Sequence, residues 1–224
     1  MSGPLSHEQA CAFYDRFGSR QDSQAFYEDA VLDRLIEKGA LARSTSVFEF
    51  GCGTGRLAAR LLAGVLPEEC RYVGVDISQT MVTLARERLQ RFGARARVLQ
   101  SHGETRFDFP EGSFDRFLST FVLDLLPEEE IDAVINEASR LVRPGGLLLL
   151  TSLTEGTTLP SRLLIALWKR IWRLRPSLVG GCRPIRLTRF VRDPEWRLRH
   201  REVLTPWAVP CELLVAERGS GGAG

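Results

Sequence analysis

The chain has no uninterrupted apolar run approaching the ~20 residues needed to cross a bilayer. Its polar start, Met1-Ser2-Gly3-Pro4, leads into no apolar segment of the secretory type. Cysteine is sparse and scattered: the five, at 11, 52, 70, 182 and 211, are odd in number and form no Cys-x-x-Cys pair. That pattern argues against a disulfide frame and against a thiolate zinc site, so no metal is expected and the thiols read as reduced in a cytoplasmic protein. A strong excess of either charge is also missing, with 30 Lys and Arg against 28 Asp and Glu. The near-balance hides an asymmetry. Residues 151–224 hold 13 Lys and Arg against 6 Asp and Glu, which leaves an acidic excess in residues 1–150 and makes the basic end a candidate partner surface. With 224 residues, 44% hydrophobic and 26% charged, extensive disorder is excluded and a single domain with a sizeable core is expected.

The clearest feature present is a glycine-rich turn. Val47-Phe48-Glu49-Phe50 is a short apolar strand that runs into Gly51-Cys52-Gly53-Thr54-Gly55, and Leu57, Ala58, Leu61 and Leu62 follow at helical spacing. Such a loop turns with positive φ, admits a ligand close to the backbone, and is backed by the free N–H groups of a helix N-terminus. A second strand, Tyr72-Val73-Gly74-Val75-Asp76, ends on an acid about 20 residues on, where a Rossmann-type domain holds ribose hydroxyls. Asp76 is equally a residue type that caps a helix, here the one predicted from Ser78 through Met81, Leu84, Ala85 and Leu89.

The glycine spacing separates two nucleotide-binding families. A dinucleotide fingerprint needs Gly-x-Gly-x-x-Gly, but the third residue past Gly53 is Arg56, and the next glycine, Gly55, comes one place early. Glu49 upstream is a poor neighbour for a pyrophosphate and a good one for an ammonium. The resulting Glu-x-Gly-x-Gly-x-Gly resembles motif I of the class I S-adenosylmethionine-dependent methyltransferases. Further stretches carry the same resemblance: Asp76, the strand at Phe114-Asp115, and Arg143-Pro144-Gly145-Gly146 before the apolar run Leu147 to Leu150, so that it spans about residues 46–152.

The resemblance implies an α/β fold: a doubly wound, Rossmann-like, seven-stranded and mostly parallel sheet, with the last strand inserted antiparallel. It implies S-adenosyl-L-methionine as cofactor, held by Glu49, Gly51, Cys52, Gly53, Gly55 and Arg56 of the loop and by Asp76 and Ile77 after strand two. Gly103 or Glu104 would meet the adenine after strand three, where the family usually has an Asp. Ser119 closes strand four at the crevice, and Tyr14 or Phe17 of a leading helix would cover the ligand or else belong to that helix's core face. Asp124 either orients or deprotonates an acceptor or caps a turn; His102 and His200 read better as turn and strand residues than as bases. No Asn/Asp-Pro-Pro-aromatic motif and no Pro-Cys follow strand four, which disfavours nucleobase and glutamine substrates, so no nucleic-acid partner is expected and a small or amphipathic acceptor is favoured. A nicotinamide-dependent oxidoreductase and a non-catalytic, cofactor-binding interaction protein remain the alternatives.

One domain is therefore expected over residues 1–218. It comprises a helical cover over 1–45, with helices at about 6–17 and 24–38, a cofactor-binding core over 46–152, and a cover helix with a closing hairpin over 153–218. A flexible tail over 219–224 follows. In the cover helix at 160–175, Leu163, Leu164, Ile165, Leu167, Trp168, Ile171 and Trp172 form a broad apolar face opposite Arg162, Lys169, Arg170 and Arg173. Such a helix packs on the protein body, shields a hydrophobic substrate, or lies on an anionic membrane as a peripheral contact.

Overall fold

Seven strands form one twisted sheet in a computed structural model that describes residues 4–219. In chain order they are β1 (Ser46–Phe50), β2 (Arg71–Asp76), β3 (Ala96–Gln100), β4 (Phe114–Thr120), β5 (Val142–Leu153), β6 (Trp196–Leu204) and β7 (Cys211–Arg218). The spatial order is β3-β2-β1-β4-β5-β7-β6, with β7 antiparallel to both its neighbours and the other pairs parallel. This is the doubly wound arrangement with the inserted last strand that the sequence implies. Order reverses between β1 and β4, and the crevice beyond their carboxyl ends is where such sheets bind ligands. Leu147 to Leu150 of β5 are unbroken leucine and β4 is buried from Phe114 to Ser119, because both faces of a parallel sheet are covered.

Six helices do the covering: α1 (His7–Phe17), α2 (Ala25–Lys38), α3 (Arg56–Gly64), α4 (Gln79–Leu89), α5 (Glu128–Leu141) and α6 (Leu159–Leu174). Ser6 caps α1 through the reciprocal pairing with Gln9 that its spacing predicts, and α6 uses the same device between Thr158 and Ser161. Three glutamates open α5, where the helix dipole favours them. One core layer packs Val31 and Leu35 of α2, Leu61 of α3 and Val82 of α4 against Tyr72 and Leu118. The other packs Ile131, Val134 and Leu141 of α5 against Phe117, Leu148 and Trp196, and Phe48 stacks there on Phe117.

Two expectations shift. Arg143-Pro144-Gly145-Gly146 does not precede the fifth strand but lies within it. Helix α5 stops at Leu141, Val142 already pairs with Phe114, and the Pro-Gly step is absorbed as a register shift before Arg116 meets Leu147. The predicted helix at 24–38 is preceded by a 3-10 stretch, Gly18–Gln24, which carries the chain from α1 across the glycine loop. Buried Arg116 then ties the end of α2 to the sheet by donating to the carbonyls of Gly39 and Ala40 at 3.1 and 2.9 Å. The tail expected at 219–224 lies outside the described residues beyond Gly219.

Candidate active site

The glycine loop is fastened to the tip of β2. Gly51 and Cys52 donate N–H bonds to the Val75 carbonyl at 2.9 and 3.0 Å, and Gly53 N–H donates to Asp76 Oδ2 at 2.8 Å. Asp76 Oδ1 accepts from Ser78 N–H at 2.9 Å, while the cap of α4 is the Ser78 hydroxyl, which accepts from Met81 N–H. Asp76 is therefore not the capping residue; its carboxylate holds the loop and faces a cavity. Burial pushes its pKa up to about 6, against the lowering pull of those backbone donors. At Gly53 (φ +52) a side chain would project into open space, so the backbone itself is the wall.

That cavity collects residues from α1, β1, β2, α4, β4 and α5 and from the loops that join them. Gly51, Gly53, Asp76, Ile77, Gly103, Glu104 and Tyr14 line it, with Phe50, Val75 and Met81 on the sheet side and Val122, Leu125, Leu126 and Pro127 beyond β4. Its walls are mostly apolar and its polar groups few and convergent, the usual make-up of a small-molecule site. Glu49 and Cys52 line an adjoining recess with Gln21, Glu28 and Arg56. Glu49 is fully buried, receives the Tyr72 hydroxyl hydrogen bond, and has its pKa pushed up to about 8 by burial. Its hydrogen bond comes from a neutral phenol, and no cation among the described residues pairs with it.

Four sequence-predicted residues sit elsewhere, and a fifth, Arg56, reaches only the adjoining recess. Gly55 does not reach the cavity: it starts α3 at φ +72, and a Cβ there would lie 3.1 Å from Ala85 of α4, so its smallness serves helix packing. Arg56 is held by Glu28 and Asp29 of α2 and acts as a clasp for the cover. Ser119 is wholly buried in β4; Thr120 and Phe121 at the strand's end line the cavity instead. Asp124 is turned into the body, where Oδ2 accepts from Leu153 N–H at 3.0 Å, and burial pushes its pKa up to about 6. Phe17 stacks on Phe13 along an outer groove, away from the cavity that Tyr14 lines.

Several lining residues carry no sequence signal. His7 donates or accepts across the mouth to Glu130 at 2.8 Å, and its ring lies against Gly103, where a Cβ would be 2.3 Å from Nδ1. Gln21 comes from the irregular stretch after α1. Phe121 is held at φ +56, an outlier for a bulky residue, and its ring meets Tyr27 edge-on at the border of cavity and recess. Over the loop, Asp22 accepts from Thr54 and Arg88, Asp29 pairs with Arg56 and Asp33 with Arg60, so the segment before β1 is clasped to α3 and α4 by ion pairs.

A carboxylate-ended second strand beside a Glu-x-Gly-x-Gly-x-Gly turn, at a topological switch point, is the arrangement the motif resemblance demands. Residues 47–146 match the profile of a family described as methyltransferase domain. The match, together with the fold, supports a class I S-adenosylmethionine-dependent methyltransferase domain over these residues. The chain is 31% identical over 106 residues to a phosphatidylethanolamine N-methyltransferase of Cereibacter sphaeroides, covering 47% of this chain and 49% of that one. An O-methyltransferase family protein from Burkholderia thailandensis superposes with a TM-score of 0.74 at 22% identity, over 98% of this chain and 65% of that one. The [4+2]-cyclase SpnF superposes with 0.73 at 16% identity, over 98% and 100%. These last two likenesses concern the fold alone. The chain spans about half the length of the curated relatives it matches.

S-adenosylmethionine is the cofactor of the family, and the residues present fit it. A buried carboxylate in an apolar slot suits a ribose, and the uncompensated acid Glu49 suits an ammonium. The displaced third glycine that disfavours a nicotinamide dinucleotide is here a helix-packing residue rather than part of the cradle.

Proposed function

We propose that this methyltransferase moves a methyl group from S-adenosylmethionine to a small or amphipathic acceptor. The observation that carries the reading is the crevice in which Asp76, Gly53 and Gly51 line one cavity while Glu49 opens on the adjoining recess. When bound, the cofactor supplies a methyl group already activated on a sulfonium. The protein's part is alignment of two reactants and exclusion of water. Asp76 has lone pairs left after its two backbone donors and offers them to ribose hydroxyls. Glu49, whose pKa burial raises to about 8, would be drawn to its ionised form by the ammonium of the amino-acid end. Gly103 and Ile77 would border the adenine, with Glu104, whose carboxylate accepts from His102 N–H at 2.6 Å, on the same wall. Tyr14, from the cover, closes the cavity from above, and Thr120 and Phe121 replace Ser119 as the β4 contribution.

Asp124 has no part as a base in this reading, since it reaches a backbone N–H and not the cavity. The absence of an acceptor-gripping motif and the apolar lining support a substrate with hydrocarbon character, in keeping with a relative named for a phospholipid headgroup. Incubation with methyl-labelled cofactor and a cell extract, fractionated into protein, nucleic acid, lipid and small molecules, tests this directly. Label is expected in the lipid or small-molecule fraction. Tight cofactor binding with no label in any fraction would establish the non-catalytic, cofactor-binding alternative instead.

A further inference from the structure

Helix α6 does not present the single apolar face that its sequence suggests. Its inner side packs Ser161 and Ile165 in the body, and the two tryptophans are drawn inward, Trp168 Nε1 donating to the Cys182 carbonyl at 2.8 Å and Trp172 Nε1 to the Gly181 carbonyl at 2.9 Å. The leucines are left outside. Leu159, Leu163, Leu167 and Leu174 are 76%, 72%, 56% and 74% exposed, and all four project within one sector of the helix. Leu178 in the next turn is 69% exposed. Beside α6, the turn between β6 and β7 holds Trp207 outward at φ +52, 77% exposed and edge-on to the exposed Phe26 of α2. Seven of the eight exposed large apolar side chains of the described residues thus lie on the cover, so their exposure is concentrated rather than scattered.

The charges on α6 and on the segment that follows it are of one sign, with Glu155 just before the helix paired to Lys169. From Gly156 to Arg192 the sequence holds nine Lys and Arg and no Asp or Glu. Exposed Arg170 stands inside the leucine stripe and exposed Arg162 beside it. Past its end, Leu174 also borders an open groove between α1 and α6, with Phe13 and Phe17 as apolar wall and Arg16, Arg20 and Arg175 as its cations. Leucines with arginines among them, and a tryptophan at the margin, suit one partner chemistry: hydrocarbon below and anionic headgroups above.

We propose that the outer face of α6, with Leu178 and the Phe26–Trp207 pair, docks on an anionic phospholipid bilayer, the arginines of α6 and of the adjoining groove meeting headgroup phosphates. The helix lies in the interface and does not span; no helix of the described residues is long and apolar enough to cross. The proposal stands apart from the methyl-transfer reading, because it rests on a surface that does not line the cofactor cavity.

Flotation with vesicles tests it, using equimolar phosphatidylglycerol and phosphatidylcholine against phosphatidylcholine alone at low salt. Binding to the anionic vesicles is expected at least tenfold above the neutral ones, with a blue shift of tryptophan emission that Trp207→Phe removes. The triple variant Leu163→Ser, Leu167→Ser, Leu174→Ser should lose binding tenfold or more. Arg162→Gln with Arg170→Gln should lose about fivefold per arginine. All these positions are exposed, and unchanged thermal unfolding and cofactor affinity keep misfolding apart from lost docking. No flotation of the full chain on anionic vesicles overturns the proposal, as does equal flotation of the triple variant. Concentration-dependent self-association abolished by the leucine changes, without vesicle binding, would assign the face to a second copy of the chain and overturn it too.

Discussion

The two ends of the chain solve different problems with different materials. Between β1 and β3 the candidate site is made mainly of backbone and of two acids at strand ends, Glu49 held by the Tyr72 hydroxyl and Asp76 by hydrogen bonds of 2.8 and 2.9 Å from backbone N–H groups. Beyond β5 the cover is made of side chains on one amphipathic helix and a hairpin turn, and their direction is set by what each face finds to pack on. The geometry of the loop follows from local rules of turn and strand; that of the cover follows from tertiary partners. Changes on the first side should therefore cost cofactor binding sharply, and changes on the second should leave it alone.

The largest effect is expected from Gly53→Val. The added branched side chain enters the open cradle and is forced into positive φ. Cofactor affinity by calorimetry should fall about a hundredfold, which is about 2.7 kcal/mol, with circular dichroism unchanged. Asp124→Ala probes the opposite prediction, that this acid is structural. Leaving Leu153 N–H unpaired in the interior should destabilise by about 1–3 kcal/mol, read as a lower Tm, while cofactor affinity stays within threefold. A loss of methyl transfer at unchanged stability would instead restore Asp124 to the reaction.

Legibility follows the same division. Residues 46–104 were readable because each functional position is tied to a local signature: strand, glycine turn, acid at the next strand's tip. Even there the signature overreached at Gly55 and Arg56, whose motif positions serve packing against Ala85 and clasping to Asp29. His7, Gln21 and Glu130 were invisible because they reach the cavity only through the folding of α1 and α5 over it. In α6 the periodicity identified a helix with apolar residues on most of its circumference, but could not say which would be covered. Trp168 and Trp172 find carbonyl acceptors inside, and that choice turns the leucines out.

Smaller effects sharpen the electrostatic side of the contrast. Burial raises the pKa of Glu49 from its ordinary 4.5 to about 8 in the fold. The folded chain thus holds the extra proton between those values, and the group's stabilising contribution, whole below pH 4.5, is lost as pH rises through 8. Denaturation of the cofactor-free chain should show stability falling by up to about 1.4 kcal/mol per pH unit from this group, a slope that Glu49→Gln flattens. Asp76 must be ionised to accept ribose hydroxyls, and with its pKa at about 6 cofactor affinity should be about tenfold weaker at pH 5 than at pH 7. The smallest effect is expected at the cover's rim, where the half-exposed Arg60–Asp33 pair should contribute no more than about 1 kcal/mol. Arg60→Ala should change Tm little and vanish as a difference at high salt.

The most direct test is calorimetric titration of S-adenosylmethionine at pH 7 into the unaltered chain, Asp76→Ala, and the triple leucine variant of α6. Binding by the unaltered chain and the α6 variant with equal affinity, and at least a hundredfold loss in Asp76→Ala, is the predicted result. Undiminished binding by Asp76→Ala, or none by the unaltered chain, would contradict the assignment of the crevice at the carboxyl ends of β1, β2 and β4 as the cofactor site.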